Sequence, residues 1–89
     1  MNEENPELIE FPCAFPIKIM GDATSEFRQT VIEIVRRHAP DTADDSFSYR
    51  ESSTGRYLSI TATITAQSRE QLDNLYTDIT SCELVKWAL

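Results

Sequence analysis

A chain of 89 residues has room for one domain and one hydrophobic core, since a domain this size buries somewhat more than about 60% of the surface its unfolded form exposes. Its 40% hydrophobic and 26% charged content is that of a soluble globular protein. A net charge of −7 argues against nucleic acid and against anionic membrane surfaces as partners, because both are recognised through clustered Lys and Arg.

Residues 1–11 carry Glu3, Glu4, Glu7 and Glu10 together with Pro6, and read as an acidic flexible tail ahead of a single domain over 12–89. The start shows no basic stretch followed by an apolar one, so a leader is not expected. No apolar run approaches the roughly 20 residues that span a bilayer. Cys13 and Cys82 suggest reduced thiols and a cytoplasmic setting.

The first strand is predicted at Phe15, Ile17 and Ile19, alternating with Pro16, Lys18 and Met20. Pro16 has no N–H to give, so regular pairing is expected from about Ile17. Gly21 ends the strand and permits a tight turn. Thr24 is the favoured N-cap of a helix whose apolar stripe is Phe27, Val31, Ile34 and Val35. Arg36 and Arg37 suit the negative end of its dipole, and Pro40 stops it. Residues 41–45 form a loop with a solvated acidic patch at Asp41, Asp44 and Asp45, which lacks the glycine and distal Glu of a calcium loop.

Phe47 and Tyr49 alternate with Ser46, Ser48 and Arg50 as a second strand. Ser52, Ser53, Thr54 and Gly55 make a hairpin turn, with Gly55 at positive φ. From Tyr57 to Ala66 the alternation is strict: Leu58, Ile60, Ala62, Ile64 and Ala66 against Ser59, Thr61, Thr63 and Thr65. That pattern is a half-buried third strand. Ser68 and Gln71 form a capping-box pattern for a second helix with Leu72, Leu75, Tyr76 and Ile79 inward. Residues 82–89 read as a fourth strand.

The order strand, helix, strand, strand, helix, strand with right-handed crossovers predicts an α+β, ferredoxin-like βαββαβ two-layer sandwich. Its antiparallel four-stranded sheet has order 4-1-3-2 and both helices on one face. Parity then turns Phe15, Ile17, Ile19, Phe47, Tyr49, Leu58, Ile60, Ala62, Ile64, Val85 and Trp87 toward the helices. Lys18, Met20, Ser48, Arg50, Ser59, Thr61, Thr63, Leu84 and Lys86 face away. The open face thereby collects Lys18, Arg50 and Lys86 and no carboxylate, in a chain of net charge −7. Such segregation points to an acidic ligand or an acidic partner surface. The RNA-binding versions of this fold stack bases on aromatics of the central strands, and the outward residues Lys18, Met20, Ser59, Thr61 and Thr63 supply none.

Chemistry-bearing groups are sparse. His38, the one histidine, falls near the end of the first helix and reads as a residue bonding carbonyls of the last turn. A nucleophile such as Ser25 lies thirteen residues away, about 20 Å along the helix. Cys13 and Cys82 open neighbouring antiparallel strands at opposite ends, about 20 Å apart, which excludes a disulfide or a shared metal. No metal site and no cofactor are expected, nor any catalytic residue. Gly21 and Asp22, in the turn after the first strand, are candidate ligand-contact residues, since that turn contacts an amino acid in ligand-binding regulatory versions of the fold.

The segment F-P-C-A-F-P-I-K-I-M-G, the helix end V-R-R-H-A-P, the hairpin from Ser52 to Ser59 and the ending L-V-K-W-A-L resemble the YbeD family of small bacterial proteins of unknown function. The resemblance runs from about residue 8 to 89, and Pro16 departs from the family pattern. It implies a ferredoxin-like fold similar to ACT-type regulatory domains of amino-acid enzymes. The neighbourhood of family genes to lipoate-synthesis genes suggests a partner in that pathway. No catalytic residues carry over. The expectation is a non-enzymatic, ACT-like regulatory or protein-interaction module, with a protein partner or a homo-oligomer formed through sheet edges. The alternative is a domain that binds a small molecule, an amino acid or a lipoate-pathway ligand.

Overall fold

The computed structural model describes residues 10–89; residues 1–9 of the acidic tail lie outside the described residues. The elements run β1 (Cys13–Asp22), α1 (Ser25–His38), β2 (Phe47–Glu51), β3 (Tyr57–Ala66), α2 (Arg69–Thr80) and β4 (Val85–Ala88), with a 3-10 turn over Asp44–Ser46. The four strands form one sheet in the order β2-β3-β1-β4, which is 4-1-3-2 read from the other edge. All three pairings are antiparallel. This is the ferredoxin-like sandwich that the pattern predicts.

Local chemistry starts each helix where the sequence places it. Thr24 is extended, and its hydroxyl accepts from the Phe27 N–H at 3.0 Å. Ser68 does the same for the Gln71 N–H at 3.1 Å. The capping box itself is shifted by one residue: Gln71 Oε1 accepts from the N–H of Gln67 at 2.6 Å rather than from that of the cap. Phe27, Val31, Ile34 and Val35 of α1 meet Leu72, Leu75 and Ile79 of α2 and Ile17, Ile19, Ile60 and Ile64 of the sheet in one core. Each such side chain contributes about 1.5–3 kcal/mol by leaving water. Phe11, the last residue of the tail, is half-buried against this core and anchors it there.

Pro16 sits inside β1, opposite Thr63, where pairing was expected to begin only at Ile17. Directionality explains its tolerance. The Lys18 N–H points to β4, bonding the Leu89 carbonyl at 3.2 Å. The Pro16 nitrogen, two residues back, faces that same side, beyond the end of β4. No ladder bond is lost.

The hairpin closes at Gly55, with φ of 74°. Ser52 organises it, its hydroxyl accepting from the N–H groups of Arg56 and Tyr57 at 3.2 and 3.1 Å. Tyr49 has the inward parity expected, opposite Ile60, yet is 42% exposed. It lies on the edge strand β2, where the Arg28 guanidinium of α1 stacks 5.1 Å above its ring.

The last strand differs most from expectation. Residues 81–84 finish α2 in turns, with Cys82 N–H on the Ile79 carbonyl and Val85 N–H on the Cys82 carbonyl. Only Val85–Ala88 is strand. Its pairing with β1 contains a register shift: Val85 opposes Gly21, but Trp87 opposes Met20. An extra residue in one strand reverses the parity beyond it. Val85 and Ala88 therefore pack on the core while Trp87 stands on the open face, not toward the helices. Leu84, expected outward, packs on the core instead.

Candidate functional site

The registers lay the open face out as a grid. One row reads Arg50, Ser59, Met20, Trp87 across β2, β3, β1 and β4. The next reads Ser48, Thr61, Lys18, and then Leu89, which exchanges backbone bonds with Lys18 at 3.2 and 2.8 Å. Toward the hairpin stand Tyr57 and its partner Asp22. Thr63 and Thr65, opposite Pro16 and Ala14, complete the other end.

Lys18, Arg50 and Lys86 are all exposed on this side. The expectation of a face without carboxylate needs one correction. Gly21 does not end β1, which continues through Asp22. Asp22 keeps the outward parity of Met20, and its carboxylate approaches Lys86 Nζ at 3.9 Å. Among the described residues Lys18 and Arg50 have no carboxylate within ion-pair distance. A further difference is aromatic. Tyr57, at the start of β3, and Trp87, on the edge, both stand here; parity had placed no aromatic on this face.

Gly21 and Asp22 separate in role. Gly21 is buried, and a Cβ on it would come within 2.5 Å of both the Leu84 carbonyl oxygen and the Phe27 ring. The absent side chain is where α1 and the approach to β4 close on β1. Asp22 is exposed and paired with Lys86.

His38 does not bond carbonyls of its own helix. Its Nε2 donates to Asp78 Oδ2 of α2 at 2.5 Å, and Arg37 reaches the same oxygen at 3.4 Å. The His38 hydrogen bond, aided by the nearby cations, holds the Asp78 carboxyl below the usual carboxylate range. The end of α1 is closed from α2 as well, Gln71 Nε2 donating to the His38 carbonyl at 2.8 Å. The histidine is thus a clasp between helices. Among the described residues no hydroxyl or thiol hydrogen-bonds to its ring, so the geometry of an activated nucleophile is not assembled there.

Cys13 and Cys82 are free, half-buried thiols. Among the described residues no cluster of His, Cys, Asp or Glu has metal-binding geometry. No helix among them is long and apolar enough to cross a membrane. Grooves of about 150, 280 and 210 Å³ fall below the ~300–1,000 Å³ typical of ligand pockets. One of them lies on the open face between Met20, Arg50 and Tyr57.

Known proteins place this grid in a lineage. Residues 6–89 match the family model described as protein of unknown function, DUF493. A UPF0250 protein of Chromobacterium violaceum is 52% identical over 89 residues, covering 100% of both chains. A UPF0250 protein of Neisseria gonorrhoeae is 49% identical over 87 residues, 98% of this chain and 96% of its own. Neither name states an activity. The solution structure of protein HP0495 from H. pylori superposes with a TM-score of 0.73 at 13% identity, covering 100% of this chain and 93% of the other, a likeness of fold. The chain belongs to the DUF493 family, whose bacterial relatives carry the name UPF0250 protein and which its YbeD-like motifs resemble.

Proposed function

We propose that the domain is a non-enzymatic regulatory or protein-interaction module, ACT-like in architecture, whose open sheet face docks an acidic surface of a partner protein. The observation that supports this reading is the pair Lys18 and Arg50, exposed and without an ion-pair partner among the described residues, in a chain of net charge −7. Unpaired cations gathered against the sign of the whole molecule create a local potential that selects acidic surfaces. The module works in the cytoplasm, without a cofactor and without nucleic acid. The small-molecule alternative, with Gly21 and Asp22 at the site, has less support: Gly21 is enclosed by Phe27 and Leu84.

Poly-glutamate serves as an acidic probe. The wild-type chain is expected to bind it more weakly as salt rises, and replacement of Lys18, Arg50 and Lys86 by Ser together is expected to abolish binding. Unchanged binding by the triple variant refutes the reading. A thermal-shift screen of amino acids and lipoate precursors addresses the alternative, because a ligand at one hundred times its Kd adds about 2.7 kcal/mol of stability.

A further inference from the structure

The open face has an apolar corner. Met20 and Trp87 are direct partners across β1 and β4, and Leu89 lies beside Lys18 in the neighbouring row. Paired residues of antiparallel strands project the same way with Cβ atoms ~4.5–5.5 Å apart, so Met20, Trp87 and Leu89 share one surface. Trp87 is 41% exposed and Leu89 71%. Neither belongs to the core. Lys18 stands within this block, Lys86 beside it on β4, and Arg50 at the far end of the Met20 row. Aromatic residues and Met are enriched at interface cores, and tryptophan is among the residues enriched at binding hot spots.

We infer that this corner seats a short acidic segment of a partner protein that carries an apolar anchor among its carboxylates. The anchor lies on Met20, Trp87 and Leu89, and the carboxylates reach Lys18, Arg50 and Lys86. This inference rests on the docking reading above and names its partner. Charge decides the occupant. A second copy joined by two-fold symmetry brings the same patch against itself, setting Lys18 and Lys86 of one chain near those of the other. A nucleic-acid strand carries a charge at every nucleotide, along a length that outruns the small cationic patch and meets a chain of net charge −7. A short segment confines its carboxylates to the cations and supplies what they do not, an apolar group for the tryptophan.

Trp87 is the chain's one tryptophan, so its fluorescence reports the corner directly. Three synthetic peptides are the probes: one of Glu and Ser alone, the same peptide with Leu and Phe in place of two Ser, and that anchored peptide with every Glu changed to Gln. The anchored acidic peptide is expected to bind, to shift Trp87 emission to the blue, and to weaken with salt. By calorimetry, Trp87→Ala is expected to reduce its affinity about thirtyfold. Leu89→Ser, at a position outside the core, is the second variant and is expected to weaken binding while keeping the fluorescent reporter; thermal unfolding verifies that each variant is folded.

Equal binding of the unanchored acidic peptide overturns the inference and leaves the docking reading standing. Equal binding of the Gln peptide overturns both, as does failure of every peptide to bind. A dimer in sedimentation that Trp87→Ala dissolves, or tighter binding of a single-stranded oligonucleotide, assigns the corner to a different occupant and overturns the inference.

Discussion

Gly21→Ala tests the closest packing in the molecule. The added Cβ lies 2.5 Å from the Leu84 carbonyl oxygen, and 2.5 and 2.7 Å from Cε1 and Cδ1 of Phe27. Optimal carbon–carbon contact is ~3.5–4.0 Å, so the methyl overlaps a neighbour by about 1 Å on two sides. Relief is difficult on either side. Phe27 is fully buried among core residues, and the Leu84 oxygen is backbone. Overpacking of this kind costs about 1–3 kcal/mol, or more where backbone must shift, and the lower unfolded-state entropy of Ala returns only about 0.4–1 kcal/mol. A net loss of about 2 kcal/mol is expected. For a domain of this size that lowers Tm by about 8–16 °C.

The assay is thermal and urea unfolding followed by far-UV circular dichroism, with Gly55→Ala as the control. Gly55 has φ of +74° but its nearest contact for a Cβ, Glu51 Oε1, is 3.8 Å away. Its cost is backbone alone, about 1 kcal/mol and about 4–8 °C. The two glycines thus separate steric overlap from backbone strain. A Gly21→Ala variant as stable as wild type, or no less stable than Gly55→Ala, refutes the packing argument.

The Asp78 clasp carries a pH signature. Because His38 holds the folded carboxyl below its unfolded value, its stabilisation is complete above the unfolded pKa and is lost as pH falls through the folded one; the Tm gap between wild type and Asp78→Asn should be widest near neutrality and close in acid, and a gap independent of pH refutes the clasp. Gln71→Ala leaves the Gln67 N–H and the His38 carbonyl without their partners, and a loss of about 1–2 kcal/mol in urea unfolding is expected. Arg36 bonds the Thr42 carbonyl at 3.1 Å, pairs with Asp44 at 2.6 Å and stacks over Phe47. Arg36→Ala should therefore cost about 1–2 kcal/mol, whereas Asp44→Ala, at a side chain 96% exposed, should stay within about 0.5 kcal/mol; equal losses at the two positions contradict this division.

The architecture was legible because its signals are local. Thr24 and Ser68 cap helices through bonds to residues three positions on, Gly55 supplies the positive φ of its turn, and β3 announces its buried face by alternation. What escaped was long-range. The pattern around His38 points to carbonyls of its own helix, yet its partner Asp78 lies 40 residues away. A trace of it exists in sequence: Asp78 directly precedes Ile79 on the flank of the α2 stripe, where a charge needs a partner from the neighbouring helix. β4 departs from its pattern for a different reason. Period-two parity counts residues, and the register shift adds one in β4, whose own residues include no glycine or proline to mark it; the glycine at the shift, Gly21, is on the facing strand. That single residue turns Trp87 from the helix side to the open face and changes the composition of the candidate site.

Gly21 connects these observations. Proposed from sequence as a ligand contact, it bears on the face indirectly. Its missing side chain lets the Phe27 ring and the Leu84 carbonyl approach β1 together, and the Leu84 approach brings the chain into β4 with Val85 opposite Gly21. Simple alternation from Val85 would then carry Trp87 to the helix side, which the packed core already fills. The register shift between Met20 and Gly21 turns the ring outward beside Met20 instead. The apolar corner is therefore a consequence of how the core closes at Gly21. A loss of peptide binding in Gly21→Ala would report a displaced β4, not a lost contact with ligand, and a change in Trp87 emission without peptide would accompany it. In the proposed docking, direct contact belongs to side chains that leave the core: Lys18, Met20, Arg50, Lys86, Trp87 and Leu89.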